Sequence, residues 1–495
     1  MKKRFRNCVI AALSLCAFSL SSLTAFAEST GYSFITDMDG ENVQIPQAYE
    51  VSKTIKNLGK SELLGNNMFL NQAEDLFIDS NDILYIADTG NNRVIKMTKN
   101  GEIQAVITEV CGKALSSPKG VFVYTDGSIW IADTGNNRIA VTTPSGKSVK
   151  EYGKPTGIPD EANVTYDIEK LFVDHMGYIY ALKGSYIMKI DSDNEFQGYM
   201  GAKEVGFSFE RFIVKTFGTK EQEKKLETVE PTAYNNFLLV NNNIYGVLAE
   251  GTTGQIRRLN SVGDNTYPEN AYGYSYMEDG IVKEPSLIDI AVTQDGIVNV
   301  VDKNSGLVSQ YDTNGNLLAN FGGNGDRKGS FKNPTSIAVD SQGNIYVLDG
   351  SLKNIQIFES TDFIDKIHEA ITLQEAGDYE GSMAKWTEVY NIDSNYFLAN
   401  KSIGKLYFKE TMVGDKNMKE RVDLYKKSMA KYKLAADKEG FSESYSERRH
   451  EFFRKYFFWI VIVIVAVVIV IGKLFVYIKQ KADKWSFNIE MGGDL

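Results

Sequence analysis

The chain has 495 residues, a formal net charge of -10 and a hydrophobic share of 43%. That length exceeds what one hydrophobic core usually holds, so more than one folded unit is expected. The acidic balance argues against a nucleic-acid partner, which requires a basic face.

Lys2, Lys3, Arg4 and Arg6 form a positive start, Val9 to Leu23 an apolar stretch, and Ala25-Phe26-Ala27 a small-x-small cleavage site. Residues 1–27 therefore read as a secretory signal, with a mature chain from near Glu28. Cys16 does not mark a lipoprotein, because Leu15 stands before it where a small residue is needed. Cys8 and Cys16 fall in the signal, which leaves Cys111 as the one mature cysteine. A disulfide within one mature chain is then impossible. Cys111 is expected to be a small buried filler.

Internal repetition follows. The octapeptide Ile86-Ala87-Asp88-Thr89-Gly90-Asn91-Asn92-Arg93 recurs from Ile131 to Arg138, 45 residues later. Around the first copy, Leu76–Ile78, Ile83–Ala87, Val94–Met97 and Ile103–Ile107 read as four short strands separated by polar or Gly-containing turns. Four strands per period of about 40–50 residues is a propeller-blade pattern. Tyr85, Trp130, Tyr180, Tyr245, Asn299 and Tyr346 take one point in six copies. Three residues on stand Asp88, Asp133, Asp302 and Asp349, with Lys183 and Leu248 in the third and fourth copies. The expected fold is mainly β, a six-bladed β-propeller over residues 28–360. Tyr32 to Ile55 are expected to complete the last blade and close the ring, which removes exposed sheet edges.

Both octapeptides are similar to the blade motif of the NHL-repeat family of β-propellers, and the resemblance spans about Glu74 to Glu359. It implies a fold and leaves function open, since propellers host enzymes and binding modules alike. In that pattern Asp88 with Arg93, and Asp133 with Arg138, are structural, the acid bonding turn amides and the arginine tying strands together. An insertion at 201–231, with a helical piece at Glu221 to Leu226, reads as a solvated helix or as a flap over one face.

From Asp362 the apolar period lengthens to about 3.6. Gly377-Asp378-Tyr379 with Ser382, Trp386 and Val389 resembles the second half of a tetratricopeptide repeat, and Tyr425, Ser428, Tyr432 and Ala435 repeat the spacing. The resemblance implies a helical region over 361–450 that binds a protein partner, while a plain spacer remains the other reading. Tyr456 to Gly472 is uncharged, and Leu474 to Ile478 continue the apolar run past Lys473. A single transmembrane helix over 456–478 is expected, flanked by Phe457, Phe458, Trp459 and Tyr477 as an aromatic belt. With the signal, this sets the N-terminal domains outside a cell membrane and residues 479–495 in the cytoplasm.

The three histidines, His175, His368 and His450, are not paired at ligand spacing and read as surface residues. Phosphate-loop, nucleophile-elbow and zinc-helix motifs are missing. Asn163-Val164-Thr165 has the form of a glycosylation site and reads as chance. A ring of aligned positions at the start of each innermost strand is more informative: Asp75, Gly120, Lys170, Asn235, Asp289 and Ser336. It reads first as a hydrated channel lining and second as a polar ligand site. A resemblance to calcium-dependent propeller lactonases adds a third reading, in which carboxylate and amide oxygens hold calcium; Lys170 opposes it. The function expected is a membrane-anchored extracytoplasmic binding or scaffold protein of a bacterial cell envelope, engaging a polar ligand such as a carbohydrate, or a protein. The alternative is a divalent-metal-dependent lactonase-like or lyase enzyme.

Overall fold

The computed structural model describes residues 32–36, 40–158, 165–200, 233–261 and 263–491, with side chains as far as 483. The predicted signal (1–27), the first two residues of the Asn163–Thr165 sequence and the 201–231 insertion lie outside the described residues. Contacts divide the chain into two compact units, before and after Gly377.

The first unit is a six-bladed β-propeller. Its first blade is Asp75–Ile78, Ile83–Asp88, Arg93–Thr98 and Ile103–Ile107, in that order from the axis outward. The blades that follow begin at Gly120, Ile168, Tyr234, Leu287 and Pro334. Second strands such as Ile129–Asp133 and Val298–Asp302 are buried at every position, because neighbouring blades cover both faces. They therefore read as continuous apolar runs rather than alternating ones. Clusters such as Leu76, Ile86, Ile95, Tyr346, Leu348 and Ile355 fill the spaces between blades.

Ring closure uses the N-terminal segment twice. Tyr49–Ile55 pairs antiparallel with Asn354–Ser360 and becomes the outer strand of the sixth blade. Phe34–Thr36 and Asn42–Gln44 add a further pair to the outer edge of the fifth, making that sheet six-stranded. The fourth blade keeps three strands, Tyr234–Val240, Asn243–Leu248 and Ile256–Leu259.

The octapeptide forms a strand end, a single 3-10 turn and a return strand. Asp88 accepts the Asn71 amide at 2.8 Å, the Asn91 side-chain amide at 2.8 Å and Arg93 Nε at 2.7 Å. Asp133 repeats the set with Ser116, Asn136 and Arg138. Thr89 and Thr134 donate to Pro118 and Ile168 of the following blades. A side chain at Gly90 or Gly135 would strike Asn71 or Ser116 at 2.5 Å, so glycine is required there for close approach. Asp302 and Asp349 likewise accept loop amides. Tyr85, Tyr180 and Tyr346 donate to Asp79, Asp174 and Asp340, the carboxylates that shape the preceding hairpin turns.

Two expectations are corrected. Cys111 is exposed rather than a core filler. With Gly112 it forms the two-residue loop of the hairpin Glu109–Val110 and Lys113–Ala114, and both have positive φ (54° and 75°). That places it at a surface tip and accounts for the pair, since such a turn needs left-handed residues. His368 is not a free surface residue. It lies on helix α1 (Asp362–Glu375), which clusters with the propeller and not with the later helices. Gln310 donates to the Tyr49 hydroxyl and to Asn299 Oδ1, both at 2.8 Å, so its carbonyl is the acceptor for His368 Nε2 at 2.8 Å. His368 Nε2 therefore carries a proton and donates. His175 and His450 are exposed.

The second unit contains α2 (Tyr379–Ile392), α3 (Phe397–Glu410), α4 (Met418–Leu434) and α5 (Lys438–Met491). Consecutive helices pack on one another. Asp378 caps α2 through the Gly381 amide, and Asn417 with Glu420 forms a capping box on α4. Ser428 donates to the Gly404 carbonyl at 2.7 Å, and the Tyr432 ring lies against Gly404 and Gly440. Small residues thus let α3, α4 and α5 approach. Within α5, Lys438–Asp483 includes a segment long and apolar enough to cross a membrane, with its side chains uncovered by the rest of the chain.

Two measurements test this account. Asp88→Ala strands the buried Arg93 charge, and removing one partner of a buried pair costs about 3–5 kcal/mol. The propeller melting temperature should drop by on the order of 10 °C, and Asp88→Ala with Arg93→Leu should recover part of the loss. Burial lowers the His368 pKa from 6.5 to about 4, with Asp295 opposing it. As pH falls the unfolded chain binds the proton first, so stability is full above pH 6.5 and falls between 6.5 and 4. The residue keeps some exposed surface, which limits the loss to at most about 3 kcal/mol. Denaturant midpoints across that range should show this loss, and His368→Gln should remove it.

Candidate functional site

Each innermost strand enters its blade through a bulge. The Glu74 and Lys119 amides donate to Ala87 and Ala132, the partners of the residues that follow them. The other four blades show a register shift at the same place. A bulge re-aims side chains locally, and here it stacks three layers about the axis.

The outer layer is Glu74, Lys119, Glu169, Asn235, Ile288 and Thr335, one residue before the ring in each blade. The ring itself is Asp75, Gly120, Lys170, Asn236, Asp289 and Ser336, opposite Ala87, Ala132, Leu182, Val247, Val301 and Leu348. The fourth blade is therefore offset by one from the sequence register: Asn236 takes the ring position, and Asn235 sits in the outer layer. Two residues further along come Phe77, Phe122, Phe172, Leu238, Ala291 and Ala338. Phe77, Phe122 and Phe172 meet with centroids 5.0 to 6.3 Å apart, and Phe237 adds a ring 5.3 Å from Phe172. The polar ring thus rests on a layer of aromatic side chains.

The Asp75, Lys170, Asp289 and Ser336 side chains are buried and turn to one another. Lys170 Nζ bonds Asp75 Oδ1 across the axis, from the third blade to the first. Asp75 Oδ2 accepts the Val121 amide at 2.8 Å. Asp289 Oδ2 accepts the Ile337 amide at 2.8 Å and the Ser336 hydroxyl at 2.7 Å. Ser336 Oγ accepts the Leu76 amide at 3.1 Å. These bonds join the fifth, sixth, first and second blades. Between the second and third there is no room: a Cβ on Gly120 would lie 2.5 Å from the Glu169 carbonyl. Burial pushes the Lys170 ammonium pKa down, but the charges of Asp75 and Asp289 outweigh it and hold it above its ordinary value. Burial likewise raises the Asp289 carboxyl, against the pull of Lys170.

Calcium would need six to eight oxygen ligands. Here an ammonium is the cation between the two carboxylates, and among the described residues no three His, Cys, Asp or Glu side chains gather as a metal set. The ring as arranged does not fit a divalent ion.

The outer layer is open. Lys119 Nζ lies 2.7 Å from Glu169 and 3.6 Å from Glu74. Burial, with Glu169 adding to it and Lys119 opposing, raises the Glu74 pKa. Beside it a cavity of about 490 Å³ is lined by Gln72, Glu74, Lys303, Asn333, Thr335 and Ser351 among others. This basin offers a carboxylate, an ammonium, amides and hydroxyls. Sequence alignment of blades pointed to the ring beneath it, with Glu74 and Glu169 only as its neighbours; the open basin beside Glu74 was not legible there.

No family model matches the chain, and no curated protein matches it. Solved structures do. They include virginiamycin B lyase from Staphylococcus aureus, at 14% identity over 66% of this chain and 87% of that one, with a TM-score of 0.38. A gluconolactonase from Xanthomonas campestris matches at 11% identity over 64% and 98%, TM-score 0.38. The WD40 propeller domain of Doa1 matches at 10% identity over 63% and 98%, TM-score 0.36. The likeness extends to the fold alone.

Lys170→Met should leave Asp75 and Asp289 without their cation. A loss of about 3–5 kcal/mol is expected, read as a lower melting temperature, whereas Lys119→Met in the solvated outer layer should change stability by about 1 kcal/mol or less.

Proposed function

We propose that the chain is an NHL-type propeller anchored to a bacterial cell membrane by one helix. In this reading the propeller lies outside, the tail beyond residue 478 lies inside, and the channel-mouth basin takes a polar ligand such as a carbohydrate. The observation that carries it is the contrast between the two polar layers. The ring beneath uses its charges internally, whereas the basin leaves Glu74, Lys303, Asn333 and Ser351 around a ligand-sized space. The tetratricopeptide-like helices, contiguous in sequence with the apolar helix, are assigned to docking a protein partner. The lactonase-like alternative has Glu74 in its favour, as an acid with a raised pKa beside a pocket.

The test has two arms. Cys111 is exposed, and the other two cysteines fall in the predicted signal. A membrane-impermeant maleimide should therefore label intact cells at this protein, and Cys111→Ser should abolish the label. Protection until lysis would place the propeller inside. For the ligand, the full chain in lipid nanodiscs is melted with amino sugars, neutral sugars, lactones and calcium. A ligand at 100 times its Kd adds roughly 2.7 kcal/mol. Glu74→Gln and Lys303→Ala should remove that shift. A shift with calcium alone would favour the enzyme, and no shift would remove the basin as a ligand site.

A further inference from the structure

A second pocket goes beyond that reading. It has a volume of about 370 Å³ and lies where the N-terminal strand pair joins the fifth blade. None of its ten lining residues is charged. Two separate stretches bring four aromatic rings together there. Tyr274 and Tyr276 are two residues apart, and their rings are parallel within 9°, with centroids 6.2 Å apart. Phe34 stands edge-on to Tyr274 at 5.3 Å, and Tyr32 lies 5.7 Å from Phe34.

The polar atoms are arranged around these rings. Asn42 Nδ2 donates to the Tyr274 hydroxyl at 2.6 Å, which leaves that hydroxyl its own proton to give. Asn324 Nδ2 donates to the Asn304 carbonyl at 2.6 Å, which leaves Asn324 Oδ1 as an acceptor. The Tyr276 hydroxyl is anchored on the same carbonyl at 3.1 Å, fixing its ring. A charged ligand would find no counter-charge here. A wholly apolar one would strand the Tyr274 proton and the Asn324 oxygen, at a desolvation cost. A neutral sugar ring meets both demands: its C–H face covers an aromatic body, and its hydroxyl rim meets the polar handles.

We propose that this groove is a binding site for a neutral saccharide, held on the parallel Tyr274 and Tyr276 rings. The site also adjoins the channel mouth. Ser305 lines the groove and Lys303 lines the basin, and two residues span at most about 8 Å. A chain of several sugar units lying along the Lys303–Ser305 turn would reach both. The groove stands whether or not the basin is occupied.

The full chain in lipid nanodiscs is titrated with four tetrasaccharides: β-1,4-linked N-acetylglucosamine, β-1,4-linked glucose, α-1,4-linked glucose and β-1,4-linked mannose. Binding is read by calorimetry and by saturation-transfer NMR. At least one should bind, with transfer strongest to the sugar C–H protons. Tyr274→Ala and Tyr276→Ala should each weaken it tenfold or more. Tyr274→Phe should keep the stack and weaken it less, which separates loss of the platform from loss of fold. Binding of none of the four overturns the proposal. Binding that survives Tyr274→Ala with Tyr276→Ala, but is lost in Glu74→Gln or Lys303→Ala, overturns the groove and leaves the basin as the site. A decaproline peptide bound more tightly than any sugar, and lost in the tyrosine variants, overturns the saccharide assignment in favour of a peptide.

Discussion

The propeller depends on one buried ammonium. Six innermost strands converge on an axis too narrow for solvent to separate their first side chains, and two of those side chains are the carboxylates Asp75 and Asp289, both about 2% exposed. Two uncompensated carboxylates at that depth would expel their charge or push the strands apart. Lys170, 6% exposed, supplies the cation from a third blade. The three residues come from the first, third and fifth blades, so the ammonium faces both carboxylates, and the Ser336 hydroxyl of the sixth blade stands between Asp289 and Asp75. Backbone amides of Val121, Ile290 and Ile337 also donate to these carboxylates. The result is a polar layer bonded largely within the protein, resting on phenylalanines in the first three blades and on Leu238, Ala291 and Ala338 in the others.

Closure of the ring is the other constraint. A chain that lays down blades in order meets its start with a sheet edge exposed at each end. Tyr49–Ile55 covers the edge of the sixth blade, and its Tyr49 hydroxyl joins Gln310 of the fifth, so one strand ties two blades together. The same Gln310 receives His368 from α1. The closing strand Tyr49–Ile55, the fifth blade and the first helix therefore share a single amide. This bond is one of the contacts by which α1, with Phe363, Ile364 and Ile367 buried, groups with the propeller.

Much of the fold was legible because the blade motif encodes its own geometry. The Asp88 and Asp133 carboxylates each organise a loop, a turn and an arginine, and only Asp, Gly, Asn and Arg at those spacings can do so. The repeat was readable wherever this set survives. In the fourth blade it does not: Leu248 replaces the aspartate, and nothing in the local pattern reports the bulge at Asn235. A one-residue offset passed unnoticed there, since side chains switch faces at every step along a strand. Cys111 and His368 were misplaced for a similar reason. Their exposure is set by a left-handed two-residue turn in one case and by a distant glutamine in the other, and neither is written in neighbouring residues.

The same logic explains why the ring was the natural candidate and why it makes a poor ligand site. Charged residues at strand starts stand out in an alignment, but charge that a fold needs for its own axis is charge already spoken for. What a ligand can use is what the bulge lifts clear of the ring: Glu74, Lys119 and Glu169, one residue earlier and 31 to 40% exposed at the side chain. The bulge converts a single polar ring into two layers, one sealed and one open, from consecutive residues of the same strands. A propeller built this way can change its outer layer without unbalancing its axis, because adjacent positions answer to different constraints. The polar side chains left open on this face therefore belong to the residues before each strand and to the loops beside them, such as Lys303–Ser305, while the strands themselves are held to the requirements of closure.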